Sequence, residues 1–422
     1  MRGTAGFRAI SRALAHRNFG IYIAGNSVSL IGTWMQRIGI GWLAWDLSHS
    51  GAVLGLVAFA DLFPAMVMAP FGGALADRAD RLRVLFVGQT LVMLQSFALF
   101  VLTATGLIDV PLLILLVLAA GLVIGFNQPA RLALIPDLLP RSELATAVAI
   151  NSIVFNLARF IGPALAGMAI VWVGVEAVFA INGLTFVAFL FALTRLRLVR
   201  DDAARTRRDG SMLGAVSEGL RYVAGHPGIG PILLLQAVVT VSVRPFVELL
   251  PGFAEEVFAR GAPGLAMLSS AIGLGAIVAG LWLSQRGGHG GLTRITLLSS
   301  VMIALATLGF SLSTWFPAAL VCVALAGFGM VTAGVGTQTV LQIAVDEGMR
   351  GRVLSLFGLI FRGGPAIGAL LMGAASEAVG LRAPVAVGAL FGLVAFAIAW
   401  RRRAALAQSL GDAPAPVPGR AA

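Results

Sequence analysis

The chain has 422 residues, of which 12% are charged and 58% hydrophobic; its formal net charge is +11 and its mean hydropathy +0.93. Soluble domains carry about 25% charged residues, so this composition excludes an ordinary globular protein and calls for lipid as the solvent. Nucleic acid is not the expected partner of the positive charge, because all 30 basic residues are arginine and they cluster between apolar runs.

A ruler of about twenty residues per crossing places twelve spans near residues 18–46, 51–75, 84–105, 111–130, 143–173, 176–198, 229–251, 262–284, 293–313, 316–340, 352–378 and 382–400. The expected class is therefore an all-α polytopic membrane protein, embedded in a lipid bilayer. The first span follows Arg2, Arg8, Arg12 and Arg17 and has no small-residue cleavage site, so it reads as a retained helix. Pro111, Pro231, Pro317 and Pro384 stand where a first helical turn tolerates a missing N–H. Ser142 and Asp346 are placed to cap the fifth and eleventh spans.

Arginine distribution orients the bundle. One side takes 24 arginines, the other only Arg260 and Arg382, and four (Arg37, Arg159, Arg244 and Arg362) fall inside spans. The positive-inside rule puts both termini in the cytoplasm, which an even number of spans requires.

Five segments follow: a cytoplasmic N-terminus (1–17), six spans (18–198), a linker (199–228), six more spans (229–400) and a tail (401–422). In the linker Met212, Leu213, Val216, Leu220 and Val223 form an apolar stripe ended by Pro227, which reads as a helix lying along the interface. The Pro-rich tail is expected to be disordered. The two sets of six spans echo each other. Arg159 precedes Gly162-Pro163 and Gly167 in the fifth span, and Arg362 precedes Pro365 in the eleventh. Two like bundles imply a transporter with its site near the midplane; the matched prolines suit helix bends, and simple packing accounts for them equally.

Chemistry-bearing residues are few. Cys322 is the one cysteine and lies in an apolar run, and the four histidines, His16, His49, His226 and His289, lie in connections. No disulfide frame, metal cluster or catalytic group emerges, and no cofactor is expected. Charges at membrane depth are therefore the candidates. Arg37 lies nine residues before Asp46, and Asp61 ten residues after Gly51. At about 1.5 Å per residue both sit about 15 Å from the outer surface, where adjacent antiparallel helices bring them together. Asp61 reads as a proton-responsive carboxylate with Arg37 as its partner; a static ion pair fixing the first span to the second accounts for the same residues. Arg244 and Glu248 are four apart, on one helical face. Glu248, three residues before Pro251, is a further proton-coupling candidate but is expected to snorkel to the outer interface, while deeper Arg244 faces the cavity.

After the second span, Gly73, Asp77, Arg78 and Arg81 form a charge-dense loop. Gly73 suits close helix approach, and Asp77 can accept from the exposed N–H groups of a helix N-terminus. The arginines serve equally as topology anchors. This loop resembles the signature Gly-x-x-x-Asp-Arg-x-Gly-Arg-Arg of the major facilitator superfamily, with Asp80 in place of the glycine and Leu82 in place of a base. Gly162-Pro163-x-x-x-Gly167 is similar to the superfamily's antiporter motif. Asn127-Gln128-Pro129-Ala130-Arg131, with Asn151 and Arg159, resembles the exporters of macrolide-type drugs and of the siderophore enterobactin. The resemblance implies the major facilitator fold of two pseudo-symmetric six-helix bundles, and that Asp77 meets the eleventh span to close the cytoplasmic side. It implies a cavity lined by spans 1, 4, 7 and 10, where Trp34, Gln36, Gln236, Arg244, Thr337 and Gln338 are the candidates. The fourth span, aliphatic from Leu112 to Ala120, lacks the buried arginine of many drug–proton antiporters.

With so few polar anchors, the expected substrate is a hydrophobic or amphiphilic small molecule rather than a sugar. The expected function is secondary export by alternating access in exchange for protons, by a monomer in a bacterial inner membrane. An importer of the same fold is the alternative. An enzyme lacks clustered intramembrane groups here, and a sensor lacks a sizeable soluble domain.

Overall fold

In the computed structural model, the backbone is described for residues 2–197, 212–286 and 290–411, and side chains for 9–76, 78–197, 217–286 and 290–411. The described chain is helical throughout, in the order α1 Arg2–Ala15, α2 Arg17–Ser48, α3 Gly51–Arg78, α4 Arg81–Ala104, α5 Val110–Leu134, α6 Leu144–Trp172, α7 Val175–Thr194 and α8 Met212–Gly225. It continues with α9 Ile229–Val238, the single turn α10 Leu250–Gly252, α11 Gly261–Arg286, α12 Leu292–Leu312, α13 Phe316–Ala344, α14 Glu347–Val379, α15 Arg382–Arg401 and α16 Arg403–Ser409.

Among the described residues eleven segments are long and apolar enough to cross a membrane. The expected first span, α2, has 32 residues and the length to cross, but Asn26, Ser27, Ser29, Gln36 and Arg37 dilute its hydropathy. Large apolar side chains such as Leu115, Leu184, Phe191, Leu371 and Phe391 stand exposed, as lipid-facing side chains do. Short polar residues set several boundaries. Ser50 caps α3 through Val53 N, Asp80 caps α4 through Leu82 N and Arg83 N, and Asp109 caps α5 ahead of Pro111. Ser142 caps nothing: it falls inside a 3₁₀ turn, Arg141–Glu143, and α6 begins without a side-chain cap.

The described residues form two compact units. The first takes those of Met1–Arg207 together with Val247–Gly273 and Ala369–Leu381. Here α2 packs on α7 through a stripe of every seventh residue, Gly25, Gly32 and Gly39, each meeting α7 side chains. Small residues on one stripe let helix backbones approach in lipid. The partner α3 lies on α5 in the same way. A Cβ at Gly121 would stand 2.7 Å from Asp61 O, and one at Gly72 would stand 2.6 Å from Phe126 Cα. The close approach expected at Gly73 is thus made one residue earlier; nothing lies within 4 Å of a Cβ at Gly73. Phe19, Tyr22, Leu85, Leu134, Phe189 and Leu193 fill the core at one end of this unit.

The second unit takes Arg208–Phe246, Leu274–Gly368 and the described part of Arg382–Ala422. Its core runs through α12, α13 and α15. The linker helix α8 docks on the start of α14: Tyr222 Oη donates to Asp346 at 3.0 Å, and Arg352 pairs with Glu218 at 3.0 Å. His226 Nδ1 accepts from Gly228 N and Ile229 N at the start of α9.

The expected seventh span is not one α-helix. After α9 come a π-helical turn (Val239–Val243), a 3₁₀ stretch (Arg244–Leu249), α10 and a second π turn (Phe253–Val257). Pro245 supplies a reason, since it brings no N–H to continue the α ladder.

Candidate functional site

A cavity of about 430 Å³ opens in the first unit, walled by α2 to α7 and Glu248. Tyr22, Asn26, Leu30, Thr33 and Arg37 of α2 line it at helical spacing. The α2 helix therefore turns its glycine stripe to α7 and its polar stripe to the cavity. Leu54, Val57, Ala58, Val117, Ala120 and Phe186 supply apolar wall.

At one end of the cavity Arg37 holds two carboxylates. Its Nη1 donates to Asp61 Oδ2 at 2.9 Å and its Nη2 to Glu248 Oε1 at 2.7 Å. The Arg37 and Asp61 side chains are 32% and 30% exposed and Glu248 17%, so the cluster borders the cavity without being open to it. Gly121 positions Asp61 by letting α5 press on its backbone. Trp34 underlies the cluster: the Arg37 guanidinium stands 6.0 Å and that of Arg159 5.5 Å from its ring.

Glu248 does not snorkel outward. The expectation rested on its place three residues before Pro251 in an α-helical span, with Arg244 on the same face. In a 3₁₀ stretch each residue turns about 120°, so four residues separate two side chains by about 120° rather than about 40°. Glu248 accordingly reaches Arg37 in the first unit, while Arg244 in the second donates to Phe361 O at 3.3 Å and lies 4.2 Å from that ring. Arg244 is packed, not presented to this cavity.

Mid-cavity, Gln36 is committed to its neighbours. It donates to Gln95 Oε1 at 3.0 Å and accepts from Asn182 Nδ2 at 2.8 Å, and Asn182 also donates to Ser96 at 3.2 Å. At the far end Arg131 donates to Asn26, whose Nδ2 reaches Asn151 Oδ1 at 3.4 Å, and its guanidinium lies 5.3 Å from the Phe189 ring. The cavity is thus more polar than the sequence suggested. Gln89, Gln95, Asn127, Gln128, Arg131 and Asn151 also line it. They were missed partly because the fourth span was ended at residue 130, whereas α5 runs to Leu134 through Pro129. The signal was present in the Asn127–Arg131 run.

The other candidates separate. Gln236 is buried and donates to Ser300 at 3.4 Å, Thr337 is fully buried, and Gln338 is exposed; all three belong to the second unit. Gly162 packs against Trp34 Cβ, and Gly167 against Ala266, next to Pro163. The arginines beside the two matched prolines behave differently: Arg159 stacks on Trp34, whereas Arg362, three residues before buried Pro365, is exposed. Arg78 is exposed, and Arg81 ties α4 to the end of α5 through Asp137 and Ala133 O, each at 3.0 Å. The Asp77 side chain lies outside the described residues. A carboxylate does sit on a helix N-terminus at the opposite end of α3. Glu377 Oε1 of α14 accepts from Ser50 Oγ at 2.7 Å and Ala52 N at 3.0 Å, and Gly373 there meets Gly51 O. Among the described residues no three potential metal ligands gather.

Comparison with known proteins gives this geometry a context. A family model described as "Transmembrane secretion effector" matches residues 11–415. The staphyloferrin A transporter of Staphylococcus aureus is 26% identical over 364 residues, covering 85% of this chain and 90% of that protein. The multidrug efflux pump Tap of Mycolicibacterium fortuitum is 27% identical over 377 residues, covering 85% and 88%. A crystal structure of a bacterial homologue of the human lysosomal transporter Spinster aligns with a TM-score of 0.72 at 14% identity, covering 95% of this chain and 99% of that one; at that identity the likeness is one of fold.

Proposed function

The chain belongs to the transmembrane secretion effector family of major facilitator transporters, and from that premise we propose that it exports hydrophobic or amphiphilic small molecules by alternating access, in exchange for protons. It is a multi-pass membrane transporter and not an enzyme. The relatives include a multidrug efflux pump, which supports export over import. The arginine bias supports a bacterial inner membrane with both termini in the cytoplasm, and the protein works as a monomer in the lipid bilayer.

The observation that carries proton exchange is the Arg37–Asp61–Glu248 cluster on the cavity wall. One guanidinium is shared by two carboxylates, with Arg159 beside the same Trp34 ring as a second positive charge nearby. One carboxylate can therefore take a proton while the other keeps Arg37 paired, which lowers the charge held in a poorly solvated site. A proton on Asp61 frees one fork of Arg37; a proton on Glu248 loosens its hold on α2. Either event changes the ties between helices that line the substrate space, and a cavity largely walled by aliphatic and aromatic groups suits an apolar or amphiphilic cargo. Asp61 is proposed as the residue that carries the proton, Arg37 as its counter-charge and Glu248 as the second acceptor.

The test is transport by the purified chain in liposomes under an imposed pH gradient, with a panel of amphiphilic dyes and drugs. The wild type accumulates or expels cargo in proportion to the gradient. Asp61→Asn, with the same helix geometry and no titratable group, drops to the gradient-free control. Full gradient-driven transport by Asp61→Asn removes the proton assignment.

A further inference from the structure

We propose that the cavity has a second, cationic pole around Arg131 that receives the oxyanion of the cargo, so that the preferred substrate is an amphiphile ending in a carboxylate. The proposal deepens the export reading above and rests on it for the cargo being a small amphiphile.

The pole is built from three helices. Tyr22 and Asn26 are one turn apart on α2, Asn127 and Arg131 one turn apart on α5, and Asn151 lies on α6; all five line the cavity. Tyr22 and Arg131 converge on one ring, the former packing edge-on at 5.8 Å and the latter at 5.3 Å from Phe189. Charge at this pole is not balanced by any described carboxylate. Among the described residues no carboxylate pairs with Arg131, and the nearest acids in sequence are engaged elsewhere, Asp137 with Arg81 and Glu143 with His16. Its polar partner is the neutral amide of Asn26.

A second observation points to a ligand. Tyr22 Oη is buried, lines the cavity and has no hydrogen-bond partner among the described residues, and the Asn127 amide oxygen one turn from Arg131 is likewise unpartnered there. Buried polar groups are ordinarily paired, so an orphan hydroxyl beside an arginine with no described carboxylate describes a site whose partner comes from outside the chain. The Tyr22 hydroxyl and the Arg131 guanidinium are donors suited to a carboxylate, and the Asn127 amide can present its NH₂ once turned. Asn26 and Arg37 are eleven residues apart on α2, so the two poles lie about 16 Å apart along the helix axis. Leu30, Trp34 and Phe155 line the cavity between them. An extended molecule with an anionic head and an apolar body matches that order.

A cation in the last turn of α5 also suits the helix dipole, so the test reads ligand preference and not stability alone. Dansyl-undecanoic acid and its methyl ester are titrated into the full-length chain in phosphatidylcholine nanodiscs, and dansyl emission sensitised by tryptophan is followed. The wild type binds the acid about tenfold more tightly than the ester, the worth of hydrogen bonds to a charged group. Arg131→Gln binds both alike, Arg131→Lys keeps most of the preference, and Tyr22→Phe loses roughly threefold for the acid alone. Equal binding of acid and ester by the wild type, an acid preference kept by Arg131→Gln, or no binding of either probe overturns the pole. A lipid headgroup offers a similar oxyanion. Loss of acid binding on adding phosphatidylglycerol to the nanodiscs assigns the pole to lipid and overturns the substrate assignment. Acid preference without gradient-driven efflux of the probe removes the export reading and leaves the pole standing; efflux without acid preference does the reverse.

Discussion

Two arginines border one cavity, and the protein treats their charges in opposite ways. Arg37 is clasped by two carboxylates from different helices; Arg131 has an amide and an aromatic face. In the proposed reading the first cluster takes up a proton and the second an anion. A buried charge needs compensation, and whether the protein or the cargo supplies it separates a coupling site from a binding site.

Removing each arginine breaks the comparison most directly. Arg37→Met leaves Asp61 and Glu248 without the guanidinium that pairs both, and its expected loss is about 3 kcal/mol, the low end for a broken buried pair because Arg37 and Asp61 are about a third exposed. Thermal unfolding in detergent reads this, and adding Asp61→Asn and Glu248→Gln to the same chain restores most of the loss. If the triple variant is no more stable than Arg37→Met, packing rather than charge holds these helices. Arg131→Met removes a cation whose protein partners are neutral, so the expected loss is about 1 kcal/mol; a loss equal to that of Arg37→Met erases the distinction. The contrast extends to Glu377, a carboxylate held by a hydroxyl and backbone N–H groups at the start of α3. Glu377→Gln keeps one acceptor there, and its expected effect is the smallest, about 0.5 kcal/mol, read in the same melts at low salt.

Much of this was legible along the chain. Arg37 meets Asp61 as their depths imply, because both helices are regular between their outer ends and those residues. Glu248 meets Arg37 rather than the outer interface because the backbone between Arg244 and Glu248 is 3₁₀ rather than α, and about 20° per residue adds up to a different neighbour. Pro245 was the available warning. The glycine that brings α3 onto α5 was misplaced by one residue, since the Gly72-Gly73 pair offers both and only the rotation of α3 selects Gly72. Arg131 falls one residue beyond the expected end of the fourth span, yet α5 runs on to Leu134 through Pro129, since a membrane helix tolerates proline where neighbours satisfy the freed groups.

Composition determined that lipid is the solvent, and the order of apolar runs that the chain crosses it repeatedly, because both depend on hydropathy summed over stretches of sequence. Arg37, Asp61, Arg244 and Glu248 were also marked by the sequence as candidates, since charged groups at membrane depth persist where they meet something other than lipid. Only the tertiary structure decided what they meet: Glu248 rather than solvent for Arg37, Asn182 rather than cargo for Gln36, and no carboxylate among the described residues for Arg131. Those pairings depend on helix rotation and on the exact length of each turn. A residue's neighbours across a packed interface follow from angles that the order of side chains along one helix does not contain.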